Sequence, residues 1–335
     1  MIHTSAPTRF DFAGAPTDVE PFRTREGGYV VNASLGIRVS VSVSPLEGKS
    51  EIVIESRDLG VEERYSSVDA IKEDGVLRLI KAATKHVHPE RGIRITTRSD
   101  APRGSGLGAS AALAIALISA LRQAKDESFT IDQLVADALY VENVLLGNIN
   151  GGQDQYAAAL GGFHAFAFGH DLVDARPLHL RPETLRSLEE RSLLCYSGES
   201  RVSGHVLDQI MADYRNGDPH TVMLLRTMKR IAQETEQALV EGSLDDLGDL
   251  IRAAGETQRS YHPAVTPPAV KRLMQIGRSS GGLAAKMAGA GGGGCVYFLC
   301  APERKRELQE ALESKGVQVL PVLFPRTGLE TGSRT

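Results

Sequence analysis

Tryptophan is absent, and cysteine occurs only three times in 335 residues. Three thiols cannot all pair within one chain, and the separations of Cys195, Cys295 and Cys300 match no zinc-ligand spacing. Each lies among apolar neighbours, where a buried, reduced thiol is the expected state. Charge of one sign is also lacking. With 38 Lys+Arg against 42 Asp+Glu the formal net charge is −4, and without a basic stripe no nucleic-acid partner is expected. No apolar run reaches membrane-spanning length. The longest, Ala111 to Ala120, is interrupted by Ser119 and reads as a buried helix, so no membrane partner is expected. The first residues carry neither a basic nor an apolar leader region, and a cytoplasmic location is expected. His86, His88, His205 and His262 lack metal-ligand spacing. Oligomeric state is not legible, a homodimer being one option.

What the chain has in quantity is glycine, 34 residues, and it is clustered. The principal cluster is Pro102-Arg103-Gly104-Ser105-Gly106-Leu107-Gly108-Ala109-Ser110, between the alternating run Gly92 to Arg98 and an apolar helix pattern beginning at Ala109. Glycine at every second position lets backbone amides approach a ligand without Cβ interference. The helix start adds unpaired N–H groups and the positive end of a dipole. The combination predicts an anion cradle for a polyphosphate, with the Ser110 hydroxyl available to a phosphate oxygen or to Mg²⁺. It is not a Walker A loop, since no Gly-Lys-Ser/Thr follows, and the glycine spacing is not that of a Rossmann turn. The plainer alternative is a tight strand-to-helix turn with a serine cap and no ligand.

Along the chain, Arg9 to Gly14 reads as a strand ending in a turn that continues through Pro16-Thr17-Asp18. Ile37 to Ser44 alternates strictly and predicts an antiparallel strand with one wet face. Glu51 to Ser56 and Arg91 to Arg98 read as further strands. Helices are expected over Ala109 to Arg122 and Ile131 to Leu146. Glu142 and Asp154 bracket the Gly/Asn turn at Gly147 to Gly152, which can bring two carboxylates beside the phosphate cradle, as Mg²⁺ coordination and hydroxyl activation require. For Asp154 alone, a helix N-cap is the simpler reading. A polar stretch with two prolines, Arg176 to Arg191, marks a domain boundary, giving residues 1–180 and 181–330. Beyond it, helices are expected over Val202 to Arg215, Pro219 to Glu241, Ser243 to Gln258 and Pro267 to Ser279. A second cluster, Gly289 to Gly294, sits between strand-like segments and predicts a backbone pressed against a ligand or the first loop. The finish, strand Cys295 to Cys300, a helix and strand Val317 to Leu323, suits a ferredoxin-like sandwich. The last dozen residues are expected to fray. Lys286, at a strand edge, is expected to be solvated and is given no role.

Three separated motifs, Arg9 to Asp18, Pro102 to Ala112 and Lys286 to Gly294, together resemble the GHMP kinases, in the right order and across essentially the whole chain. The resemblance implies an α+β two-domain fold: an N-terminal α/β domain of the ribosomal-protein-S5-like type and a C-terminal ferredoxin-like α/β sandwich, with the site in the cleft between them. It implies ATP and Mg²⁺ as cofactors. Pro102, Gly104, Ser105, Gly106, Leu107, Gly108, Ala109 and Ser110 would hold the ATP phosphates, and Gly289, Gly291 and Gly292 would close over that loop. Ser110 and Glu142 would ligate the metal. Asp154 would take the catalytic aspartate position, with Arg9 as its charge partner. Asp18 would hydrogen-bond an acceptor hydroxyl, with Thr17, Gly14, Gly152 and Gln153 around it. Arg201 is a candidate contact for a substrate phosphate, a solvated arginine being the alternative. Gln153 to Ala158 with Gly161-Gly162-Phe163, Ser197 to Ser203 and Tyr261 to Thr266 resemble the heptose 7-phosphate kinase and fucokinase branch. That branch implies γ-phosphate transfer to the anomeric hydroxyl of a sugar or sugar phosphate. The substrate motif departs from the branch, reading Ala13-Gly14-Ala15-Pro16-Thr17-Asp18. A sugar-like cyclitol or another family acceptor, and a catalytically silent sugar and ATP sensor, are the competing readings.

Overall fold

The computed structural model describes residues 1–48, 50–170, 172–199 and 203–333, so that Arg201 lies outside the described residues. The first layer is a mixed sheet of β1 (Ile2–Ala13), β2 (Gly28–Pro45), β3 (Ile52–Ser56), β4 (Val61–Tyr65), β5 (Ile93–Ser99), β6 (Phe163–Phe168) and β7 (Val173–Leu178). β2 is its spine. It runs antiparallel to β1 on one side and to β6 and then β5 on the other, while β3 pairs parallel to β5. The alternation expected over Ile37 to Ser44 is present, with the four apolar side chains buried and the four polar ones half-buried. Residues 28–35 of the same strand are buried throughout, because helices cover one face and the second layer covers the other.

The helix Ala109–Ala124 lies across β1 and β2. Its alanines allow close approach to the sheet, and Thr4 Oγ1 donates to the Ala116 carbonyl at 2.8 Å. A shorter helix, Arg78–Val87, packs beside it. The helix expected over Ile131 to Leu146 is regular only to Leu139. From Tyr140 to Leu145 it widens to a π-helical turn, a local irregularity that recurs at functional sites.

The second layer is an antiparallel sheet of β8 (Ser192–Tyr196), β9 (Gly282–Met287), β10 (Cys295–Cys300) and β11 (Gln318–Leu320), in the order β11-β8-β10-β9. That is the ferredoxin-like order, with the long helices Pro219–Glu241 and Leu244–Tyr261 inserted after its first strand. The two layers share one apolar seam. Phe10 of β1 stacks on Tyr297 of β10 with ring centroids 4.3 Å apart. All three cysteines are buried and unpaired there. Burial pushes the Cys195 thiol up to about 12 and that of Cys300 to about 11, the inert thiols expected from their neighbours.

The expectation of a frayed end is overturned for Glu330–Ser333, Arg334 and Thr335 lying outside the described residues. β12 (Glu330–Ser333) returns to the first layer and pairs antiparallel with Ile2–Ser5, because β1 would otherwise leave a row of unpaired backbone groups along that edge. Among the described residues, no helix is long and apolar enough to cross a membrane.

Candidate active site

A cleft of about 410 Å³ opens where the two glycine clusters meet the Gly147–Gly152 turn. Its floor is held by Arg9. The guanidinium makes a two-pronged contact with Asp154, Nε to Oδ1 and Nη2 to Oδ2, each 2.7 Å, and Nη1 donates to the Gly106 carbonyl at 2.7 Å. The Arg9 backbone N–H donates to the Leu107 carbonyl at 2.8 Å. Burial would lower the Arg9 pKa, but Asp154, then Asp11 and Asp18, outweigh it and raise it. Asp154 is not a helix cap. It sits in the first turn of helix Gln153–Leu160, with its carboxylate 24% exposed to the cleft. A carboxylate has about four lone-pair sites, so Arg9 leaves acceptor capacity free on the open side.

The start of helix Ala109–Ala124 carries no side-chain cap. The serine-cap alternative therefore fails, and the first-turn N–H groups remain open to an anion. Ser110 instead turns its hydroxyl to Glu142, donating to Oε1 at 2.6 Å, while Gln155 Nε2 donates to Oε2 at 2.6 Å. Both partners of Glu142 are neutral. Burial, with Asp154 adding to it, pushes the Glu142 carboxyl up to about 7. Asp18 is 2% exposed and accepts from the Gln153 N–H at 3.4 Å. Burial first, and the Asp154 charge second, push it up to about 7 as well.

These two carboxyls predict a pH dependence of stability. Between about pH 4 and 7 the folded protein holds protons that the unfolded chain has released, so stability falls as pH rises through that window. The slope is up to about 1.4 kcal/mol per pH unit for each group. Without divalent cation, Asp18→Asn and Glu142→Gln should each narrow the difference in melting temperature between pH 5 and pH 8. An unchanged difference in both variants would show that neither group titrates there.

The glycine clusters touch directly. A Cβ on Gly106 would lie 2.5 Å from the Ala288 carbonyl oxygen, and one on Gly294 would lie 2.5 Å from that of Ser105. The Cys295 N–H donates to the Ser105 carbonyl at 2.8 Å. Behind this contact is a buried ion pair. Lys286, far from being solvated, is completely buried and donates from Nζ to Asp11 Oδ2 at 2.6 Å and to the Asp11 carbonyl at 2.9 Å. Asp11 Oδ1 in turn accepts from the Gly289 N–H at 3.2 Å. Burial lowers the Lys286 pKa, with Asp11 opposing it. β9 is an edge strand, but Asp11 of β1 in the other layer reaches its Lys286, a juxtaposition that no local pattern reveals.

Of the residues singled out from sequence, Arg9, Asp18, Gly104, Ser105, Gly106, Gly108, Ala109, Ser110, Glu142, Gly152, Gln153, Asp154 and Gly289 line the cleft. Others stand behind it. Pro102 accepts from the Ser105 N–H at 3.1 Å and Leu107 is core. Thr17 is fully buried, its hydroxyl donating to the Tyr29 carbonyl and accepting from the Tyr29 N–H, so it secures the turn and does not face an acceptor. Gly14 is needed for close packing, since a Cβ there would meet the Tyr29 carbonyl oxygen at 2.2 Å. Gly291 and Gly292 pack on Val265, the Gly292 N–H donating to its carbonyl at 2.7 Å, while Gly294 meets the phosphate loop. Leu207 and Asp208 line the cleft from the second layer. They fall in an expected helix, but nothing in its periodicity points to the site.

Comparison with known proteins agrees with this arrangement. The model of the GHMP kinases N terminal domain matches residues 75–162, and that of the GHMP kinases C terminal matches residues 235–318, together just over half of the chain. The chain is 25% identical over 336 residues to the D-glycero-alpha-D-manno-heptose 7-phosphate kinase of Campylobacter jejuni, covering 98% of each. It is 28% identical over 329 residues to the bifunctional fucokinase/GDP-fucose pyrophosphorylase of Arabidopsis thaliana, covering 92% of this chain and 30% of that longer protein. A D-glycero-D-manno-heptose 1-phosphate kinase from Bacteroides thetaiotaomicron superposes with a TM-score of 0.84 at 24% identity, over 100% of both chains. With both domain models matched in order and the two glycine clusters in contact beside a single cleft, this chain belongs to the GHMP kinase family.

Proposed function

We propose that the chain transfers the γ-phosphate of ATP to a hydroxyl of a sugar or sugar phosphate, the anomeric hydroxyl of a heptose 7-phosphate-like acceptor. The observation that carries the reading is the Arg9–Asp154 pair set beside the uncapped helix start and the glycine loop. Loop amides and the helix end stabilise charge that develops on the departing ADP. Asp18, with Gln153 and Gly152, receives the acceptor, and Asp154 orients the reacting hydroxyl. The hydroxyl oxygen forms a bond to the γ-phosphorus as the bond to the bridging oxygen breaks. The electron pair stays on ADP, and the hydroxyl proton passes to Asp154.

Ser110 and Glu142 fit a magnesium ion. They offer two hard oxygen donors 2.6 Å apart beside the phosphate cradle, and Glu142 is a buried carboxylate whose hydrogen-bond partners are all neutral. Mg²⁺ is commonly held by one or two protein oxygens with substrate phosphates and water completing its shell. When bound, it would neutralise charge on the β- and γ-phosphates. Removing the Ser110 hydroxyl deletes one donor and leaves Glu142 with Gln155 alone. Ser110→Ala should therefore raise the KM for MgATP by roughly tenfold, about one charge-assisted contact, with a smaller change in the KM of the acceptor. An acceptor KM that moved as much as that of ATP would take Ser110 out of the nucleotide site.

The deciding experiment measures ADP release against sugars, sugar 6- and 7-phosphates, cyclitols and mevalonate, with the new phosphate located by NMR. Phosphorylation at the anomeric carbon supports the reading. Activity confined to a cyclitol or a non-anomeric hydroxyl would keep the Asp154 chemistry and replace the acceptor. ATP binding without turnover of any acceptor would favour a sensor.

A further inference from the structure

A second cavity, of about 590 Å³, lies away from the cleft between the end of helix Leu244–Tyr261 and helix Pro268–Ser279. Its walls are cationic. Arg259, Lys271 and Arg278 line it together with Thr266, Met274 and Gln275. Lysine and arginine on a surface are ordinary, but Arg259 is not on the surface: its side chain is 22% exposed, and its nearest carboxylate, Glu256, is 4.0 Å away. The only hydrogen bond its guanidinium makes among the described residues is a 3.9 Å contact to the Met274 sulfur. Burial lowers the Arg259 pKa, Glu256 opposes it, and the repulsive charge of Arg278 adds to the lowering. In the same wall Thr266 is 7% exposed, and its hydroxyl has no hydrogen-bond partner. A half-buried guanidinium whose carboxylate neighbour is exposed and 4.0 Å away, beside a second arginine and an unpaired hydroxyl, is an incompletely compensated positive site.

We propose that this groove is an anion-binding site, separate from the catalytic cleft, for a phosphate monoester or similarly compact dianion. Arg259 and Arg278 hold the anion, and Lys271 adds long-range attraction. The site is wired to the nucleotide loop. Thr266 follows Val265, whose carbonyl accepts from the Gly292 N–H at 2.7 Å, and Gly291 packs on the Val265 side chain. An anion that fixes this turn therefore also fixes the glycine cluster that abuts Ser105 and Gly106, and occupancy alters the KM for ATP.

The test uses the full chain saturated with Mg²⁺ and a non-hydrolysable ATP analogue, titrated with inorganic phosphate by calorimetry at constant ionic strength. The wild type should bind phosphate, and the Arg259→Gln/Arg278→Gln double variant should bind at least about tenfold more weakly, the loss expected for charged hydrogen bonds. Phosphate should also shift the KM for ATP in the wild type and not in the double variant, whose turnover without phosphate stays at the wild-type level. Absence of phosphate binding, equal binding by the variant, or the same heat from chloride would each overturn the proposal.

Discussion

Asp154→Ala should lower kcat by at least ~10²-fold, the lower end of what a positioned general base contributes. The argument is geometric. Asp154 is the carboxylate that the fold both anchors and leaves open: two 2.7 Å bonds from Arg9 fix its plane, while about a quarter of it faces the cleft. The alanine variant also strands a guanidinium that is only 4% exposed, so part of the loss could reflect a disturbed phosphate loop. Asp154→Asn separates the two effects. It retains the shape and one acceptor oxygen but cannot take a proton, and it should bind the ATP analogue with near wild-type affinity while remaining at least ~10²-fold slow. Near-normal kcat in either variant would remove Asp154 from the chemistry.

The second large effect concerns stability. Lys286→Met should destabilise the protein by about 3–5 kcal/mol, because it leaves the Asp11 carboxylate buried without its cation. Both side chains are completely enclosed, so neither charge can relax into water. Asp11→Asn in the Lys286→Met background should recover most of the loss, since asparagine keeps an acceptor for the Gly289 N–H and no longer carries the orphaned charge. The pair of melting curves is the measurement. A Lys286→Met protein that melts with the wild type would mean that the carboxylate is not held charged by this contact. The double variant should still show a raised KM for ATP, because Lys286 and Asp11 together set where the glycine cluster lies.

How far the sequence could be read depended on whether the determining contacts were local. Helix Pro219–Glu241 is present at its expected limits, since Asp218 caps it and Gly242 closes it in the left-handed conformation. The wet-faced half of β2 was legible from its period of two. β4, Val-Glu-Glu-Arg-Tyr, was not, because it is an exposed and charged edge partner of β3. Nor was β7, whose Pro177 lies in a strand that, among the described residues, pairs only with β6. Helix Arg78–Val87 carries a readable signal, with Leu77, Ile80, Ala83 and Val87 spaced along one buried face. Within the site, Arg9, Ser110, Glu142 and Asp154 could be singled out through motif order and resemblance, and all four line one cleft. The Asp11–Lys286 pair could not, since its members are 275 residues apart and a lone lysine on an edge strand gives no hint of what will cover it.

The return of β12 to β1 has a consequence for how the protein is made. Ile2–Ser5 leave the ribosome long before residues 330–333, the strand that seals their outer edge. Until those residues are made, the β1 edge stands as an open ribbon, able to recruit the wrong strand or a neighbouring nascent chain. Closing it joins segments more than 300 residues apart, a slow kind of contact for a folding chain to find. The strand that carries Arg9 and Asp11 is thus fully bounded only after the strands of the second layer have been synthesised.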